Sequence, residues 1–364
     1  MIPLFEQFPF LKEKLPYVSL GEYPTPIEKL EKIQRIMGMG QLYVKRDDLS
    51  GKVYGGNKVR KLEFILGQAL QKNAKGVFAF GFAGSNHALA TAICARQVGL
   101  QSVSMLMPQP NAQYVRNNLL VSHHYGAELH QYNNLRILYF GTIYQFLRHK
   151  LKHGYFPFYI PAGGSSPLGI TGYVNAIFEL KEQIMKKELP EPDCIYVALG
   201  TMGTAVGLMI GIKAANLKSR VVSVRVTGKE FAGEKKMMKL LHKTSSFLHS
   251  QDSSFPLLEF SEEEIDIRHD FVGAGYAQFT EKGMDAVSLI QRNEGLKLDG
   301  TYTGKAFAAL LDDAKKGDLK DKVVLFWNTY NSRGFSDIFT HIDYHQLPHC
   351  FHKYFEEDVQ PLDK

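Results

Sequence analysis

The sequence predicts an α/β fold whose sheets are mostly parallel and carry helices on both faces. Short, nearly continuous apolar runs recur along the chain, as strands covered on both sides require. Segments between them carry apolar residues at helical spacing. The two kinds alternate, an order that places strands side by side in parallel with helices packed outside them.

The expected strands, in chain order, are 42–45, 76–80, 102–107, 194–199, 220–226 and 323–327. After Lys58, the residues Val59, Leu62, Leu66, Ala69 and Leu70 fall on one side of a helix. After Asn86, a second helix is marked by Ala88, Leu89, Ala92, Ile93 and Cys94. The stretch 233–264 is less regular. It opens with a basic helix around Lys235 to Lys243 and continues through Ser-rich and acid-rich pieces, which reads as a surface excursion.

With 45% hydrophobic and 22% charged residues in 364, the composition is that of a soluble globular chain. No apolar run approaches the roughly 18 residues of a membrane span, and the prolines and acids of the first sixteen residues do not suit a signal peptide. Cys94, Cys194 and Cys350 are scattered, with no Cys-x-x-Cys pair, so neither a disulfide framework nor a metal site is expected. A reducing, cytoplasmic setting fits them. The formal charge of +6 is dispersed, with no basic arm and no aromatic-basic alternation, so nucleic acid is not an expected partner.

Three segments carry candidate chemistry. In the run 54–63 (YGGNKVRKLE), two glycines lead into Lys58 at the first turn of a helix, which aims the amine. An imine-forming lysine also needs a depressed pKa, toward which Arg60 and Lys61 offer a positive field. By itself the segment reads equally as a glycine turn before a basic helix. The run 198–207 (ALGTMGTAVG) joins an apolar strand to an apolar helix through glycines and threonines, a turn that offers backbone N–H groups to one phosphate. It fits neither the dinucleotide fingerprint nor the ATP-binding loop. The run 81–87 (GFAGSNH) again lies between strand and helix; Ser85 is placed to cap the helix, and the same geometry suits a carboxylate.

Together with 24–26 (PTP), 43–50 (YVKRDDLS), 163–165 (GGS), 169–173 (GITGY), 273–276 (GAGY) and 302–305 (YTGK), these segments resemble the fold-type II pyridoxal-phosphate enzymes. The resemblance is to the branch of D-cysteine desulfhydrase and 1-aminocyclopropane-1-carboxylate (ACC) deaminase, in order from about Leu20 to Thr329. It implies a three-layer α/β/α, tryptophan synthase β-like architecture. A large domain would span 1–59 and 163–364, a small one 60–162, and the protein would be a homodimer. The cofactor would be pyridoxal 5′-phosphate (PLP), held on Lys58, which would also act as acid and base at the substrate α-carbon. Gly200, Thr201, Met202, Gly203 and Thr204 would wrap the phosphate with help from Lys61, and Asn86 would bond the ring's phenolic oxygen. Ser85, Asn86, His87 and Tyr276 would face the substrate. Tyr302 would lie against the cofactor ring and serve catalysis with Ser85 and Tyr276, and Thr303 and Thr329 would complete the cofactor site.

The resemblance further implies α,β-elimination from a small amino acid, D-cysteine above all, to pyruvate, ammonia and sulfide. Ring opening of ACC to 2-oxobutyrate is the alternative, with a related dehydratase or racemase beyond it. Thr303 favours elimination, because ring-opening members carry a carboxylate after the tyrosine, and so does Thr329, which matches the desulfhydrase-type threonine. The chain departs from the desulfhydrase pattern at Gly84 and at 328–331. Outside this class stand a phosphate-binding protein without an imine and a non-catalytic regulator.

Overall fold

A computed structural model describes residues 2–339 and 342–364. Ten strands form two sheets among them: β1 (Ile27–Lys29), β2 (Gln41–Lys45), β3 (Gly76–Phe82), β4 (Gln101–Met107), β5 (Glu128–Gln131), β6 (Phe158–Tyr159), β7 (Cys194–Leu199), β8 (Arg220–Arg225), β9 (Asp266–Arg268) and β10 (Val323–Trp327). The larger sheet runs β1-β2-β10-β7-β8-β9 and the smaller β5-β4-β3-β6. Every pairing is parallel except β1 with β2.

Helices of twelve residues or more connect them: α1 (Asn57–Gln71), α2 (Asn86–Gln97), α3 (Gln113–His124), α4 (Leu135–His153), α5 (Pro167–Met185), α6 (Gly203–Ala214), α7 (Glu234–Gln251), α8 (Glu281–Glu294) and α9 (Thr303–Lys316). Because side chains alternate along a strand, β7 feeds two cores. Ile195, Val197 and Leu199 join residues of α5, α6 and α7, whereas Cys194 and Tyr196 join residues of α8 and α9. The architecture is therefore the mixed α/β one expected, with all six apolar runs in strands.

The stretch 233–264 is more than a surface excursion. Its α7 buries Met237, Leu241 and Leu248 together with Thr244 and Ser245, a stripe at helical spacing that closes one side of the larger sheet's core.

A buried ionic node ties the start of α1 to the larger sheet. Asp47, just after β2, accepts from Arg60 Nε (2.9 Å), Tyr173 Oη (2.8 Å) and Trp327 Nε1 (2.8 Å). Arg60 also donates to both oxygens of Glu179, which takes the Lys45 amine at 2.6 Å. Burial alone would raise the Glu179 pKa, but Arg60 and Lys45 win and hold it at about 2. The Asp47 carbonyl in turn accepts the Gly56 N–H at 2.7 Å, which fixes the turn preceding Lys58.

Candidate active site

Parallel strands of both sheets point their C-terminal ends at one cavity of about 220 Å³, the usual place for a ligand in open α/β sheets. The glycine turn before Lys58 is dictated by backbone approach rather than by a ligand. A Cβ on Gly55 would meet the Asp48 carbonyl oxygen at 1.9 Å, and one on Gly56, at φ 92°, the Thr329 and Tyr330 carbonyl oxygens at 2.8 Å. Asn57 N–H donates to that same Thr329 carbonyl at 3.1 Å. The first turn of α1 is thus bound to the end of β10, and Lys58 leaves it into the cavity.

Burial pushes the Lys58 amine down to about 8. The field expected from Arg60 is not what lowers it, since Arg60 is spent on Asp47 and Glu179. Lys61 lies one turn on, and burial, with Lys58 adding to it, holds its amine well below the ordinary lysine range. Its polar contacts are the Gly163 carbonyl (3.3 Å) and Ser165 Oγ (3.5 Å). A buried amine with no carboxylate among these contacts is poised for an anion, whose charge would favour its protonated form.

That anion has a cradle beside it. The turn 200–202 between β7 and α6 places Met202 at φ 64° and closes with Gly203 N–H on the Thr201 carbonyl at 2.8 Å. A Cβ on Gly203 would come within 2.9 Å of the Lys61 amine, so the turn and the amine share one space. Asn57 Nδ2 donates to Thr204 Oγ1 at 3.0 Å, and Ser165 and Thr201 share a hydroxyl bond of 2.8 Å. A helix N-terminus, hydroxyls and a buried amine together suit a phosphomonoester.

Across the cavity, Ser85 caps α2 through a bond from Ala88 N–H at 3.2 Å. Asn118 Nδ2 donates to the Asn86 side-chain oxygen (2.9 Å) and to the Gly84 carbonyl (2.9 Å), so Asn86 has its NH₂ end left for the cavity. His87 is buried with neither ring nitrogen in a hydrogen bond. Burial, then the Lys58 and Lys61 charges, hold it well below its ordinary value and therefore neutral. On the remaining wall, Tyr276 and Tyr302 share a hydroxyl contact of 2.5 Å. A Cβ on Gly200 would touch the Tyr302 ring at 3.3 Å, which places that ring next to the phosphate turn.

The cavity therefore gathers Lys58, Lys61, Ser85, Asn86, His87, Gly200, Thr201, Met202, Gly203, Thr204, Tyr276, Tyr302 and Thr329. Thr303 is not among its walls. Its hydroxyl donates to Asp299 Oδ1 (2.6 Å) and accepts the Asp299 N–H (2.9 Å). Asp299 itself is on the wall, with Oδ2 taking the Thr301 and Tyr302 N–H groups and Oδ1 that of Thr303. Sequence reasoning missed Asp299, Asn57 and Asn118. An aspartate ahead of a helix is a capping signal, which would have found the first; nothing local marks Asn118.

Comparison with known proteins agrees with this geometry. Residues 18–329 match the family model described as pyridoxal-phosphate dependent enzyme. A protein of Pyrococcus abyssi, provisionally named 1-aminocyclopropane-1-carboxylate deaminase, is 34% identical over 86% of this chain and 91% of its own. A D-cysteine desulfhydrase of Serratia proteamaculans is 30% identical over 88% and 96%. The crystal structure of an ACC deaminase homologue superposes with a TM-score of 0.76 at 31% identity, covering 94% of this chain and all of that one. Serine racemase of Dictyostelium discoideum, at 18% identity and TM-score 0.59, shares the fold. With a buried lysine lining one cavity with the 200–204 turn and a family match along most of its length, this chain belongs to the pyridoxal-phosphate dependent enzymes, and PLP is its cofactor.

Proposed function

We propose that the protein is a deaminating lyase that removes a leaving group from the β-carbon of a small amino acid, in the manner of D-cysteine desulfhydrase. The observation that carries this reading is the buried Lys58 amine, lowered to about 8, lining one cavity with Ser85, Asn86 and neutral His87. Lys58, Asn86, Tyr302, Thr329 and the 200–204 turn would hold PLP, with Lys61 as counter-ion to its phosphate. Bound there, PLP withdraws electrons from the substrate α-carbon.

The side chains supply the rest. Lys58 takes the α-proton, since a group near 8 exchanges protons readily at neutral pH. Ser85, Asn86 and His87 receive the substrate carboxylate at the N-terminus of α2, where free N–H groups favour an anion. Tyr276 and Tyr302, in contact through their hydroxyls, relay a proton toward the leaving group. With cysteine the products are sulfide, pyruvate and ammonia.

What supports elimination over ring opening is Thr329 on the cavity wall, with the Asp299 carboxylate already engaged by 301–303. Since Thr303 faces Asp299, it adds nothing directly. ACC deamination is the second reading, favoured by the names of relatives such as that of P. abyssi. The test is keto-acid release by the purified holoenzyme. D-Cysteine should yield pyruvate and sulfide, while ACC yields little 2-oxobutyrate. Lys58→Ala should lose the visible absorption and the turnover together. Faster release from ACC would overturn elimination.

A cytoplasmic homodimer with domains 1–59 plus 163–364 and 60–162 belongs to the same reading. Each proposed domain has its own sheet. For the dimer there is the outer face of α4, where Tyr139, Phe140, Tyr144, Leu147 and Leu151 are more than half exposed.

A further inference from the structure

Besides the polar groups described above, the cavity is lined by apolar side chains that the proposed chemistry does not use. Phe80 and Phe82 stand two apart on β3 and so share a face; Met107 is the register partner of Phe82 on β4. Leu135 and Leu138 descend from the first turn of α4, and Phe231 reaches in from the loop after β8. At the rim, Leu135 and Phe231 are 60% and 43% exposed, although apolar side chains there would be covered by an apolar guest. The charged or titratable walls are Lys58, Lys61, His87, Asp299 and three tyrosines; of these, Tyr276 packs its ring on Phe82 at 4.6 Å and turns its hydroxyl to Tyr302. A substrate side chain directed at Phe80, Met107 and Leu138 meets apolar side chains, with the phenol of Tyr276, kept neutral by burial, beside them.

We propose that the physiological substrate carries an apolar leaving group, as an S-alkyl or S-aryl derivative of cysteine, and that Phe80, Met107, Leu138 and Phe231 select it. This rests on the elimination reading above. The Cβ–S bond breaks and its electron pair departs with sulfur, which takes up a proton and leaves as a thiol. The α-proton passes to Lys58, the three-carbon fragment gains a proton at Cβ, and one water replaces nitrogen. Thioether plus water thus gives thiol, pyruvate and ammonium, with no oxidant or reductant. Burying an aryl group on such a wall favours it by about 10- to 100-fold over hydrogen.

The holoenzyme should be assayed with the D- and L-forms of S-benzylcysteine, S-methylcysteine, cysteine and 3-chloroalanine, following pyruvate and thiol. Binding of 2-amino-5-phenylpentanoate, which has CH₂ in place of sulfur and cannot eliminate, is measured by calorimetry against alanine. The expected results are a kcat/KM at least about 10-fold higher for S-benzylcysteine than for cysteine, and a similar advantage in binding for the phenyl analogue. Phe80→Ala and Phe231→Ala should each lower the benzyl-to-cysteine ratio several-fold; because the ratio is taken within one variant, partial misfolding does not imitate the effect. Turnover of cysteine with no benzyl preference and no tighter binding of the phenyl analogue would overturn the apolar selection alone. Tight binding of that analogue without pyruvate from any of the four substrates would overturn elimination, and the thioether with it.

Discussion

As the proposed anchor of PLP, Lys58 would have to be deprotonated to take up the cofactor, and burial has lowered its amine to about 8 from the usual 10.5. Because the shift is downward, the reactive neutral amine accumulates as pH rises and is nearly complete one unit above 8. Uptake of PLP by apoprotein, followed by absorbance, should therefore accelerate up to about pH 8 to 9 and then level off; acceleration continuing past pH 10 would contradict the burial of this amine. At this scale the sequence was legible where reactive residues sit in strand-to-helix turns, because such turns face ligands whatever the rest of the fold does. At Thr303 the identity was visible, but the bond of its hydroxyl to Asp299, four positions earlier, was not. The sequence was silent on Asn118, 32 positions from the Asn86 it orients.

The helix α1 carries both lysines, and its entry is set by the node of Lys45, Asp47, Arg60 and Glu179. Removing one partner leaves buried charge uncompensated, so Arg60→Met should cost about 3–5 kcal/mol in chemical denaturation, with weakened PLP binding in the fraction that folds. Cost below about 1 kcal/mol would mean that the carboxylates find other partners. In the same core of the larger sheet, Leu241→Ala in α7 should destabilise by about 2–5 kcal/mol, a loss too large for a peripheral appendage. Six strands were readable as apolar runs. The two- to four-residue strands β1, β5, β6 and β9 were not, because so short a segment has no period to show. Nor did α7 announce its packing: Met237, Leu241 and Leu248 are spaced among lysines and serines, which masks the stripe in linear reading. The node was equally hidden, since Lys45 and Glu179 are 134 positions apart.

In the whole molecule, the cavity takes walls from both sheets, from Phe80 and Met107 on one and Ala198 and Thr329 by the other. A ligand there stabilises every element that touches it. At a concentration about 100 times its Kd, PLP should add about 2.7 kcal/mol, seen as a higher Tm than that of the apoprotein; Gly203→Ala, whose Cβ would crowd the Lys61 amine, should shrink that rise. The alternation of strand and helix disclosed the α/β class early, but it contained no information on which strand ends would converge. The single tryptophan gives the molecule a reporter of its own. Trp327 is wholly enclosed and bonded to Asp47, so its emission should be blue-shifted and inaccessible to acrylamide while the fold is intact. A red shift would then time the opening of this one spot, without any label being attached.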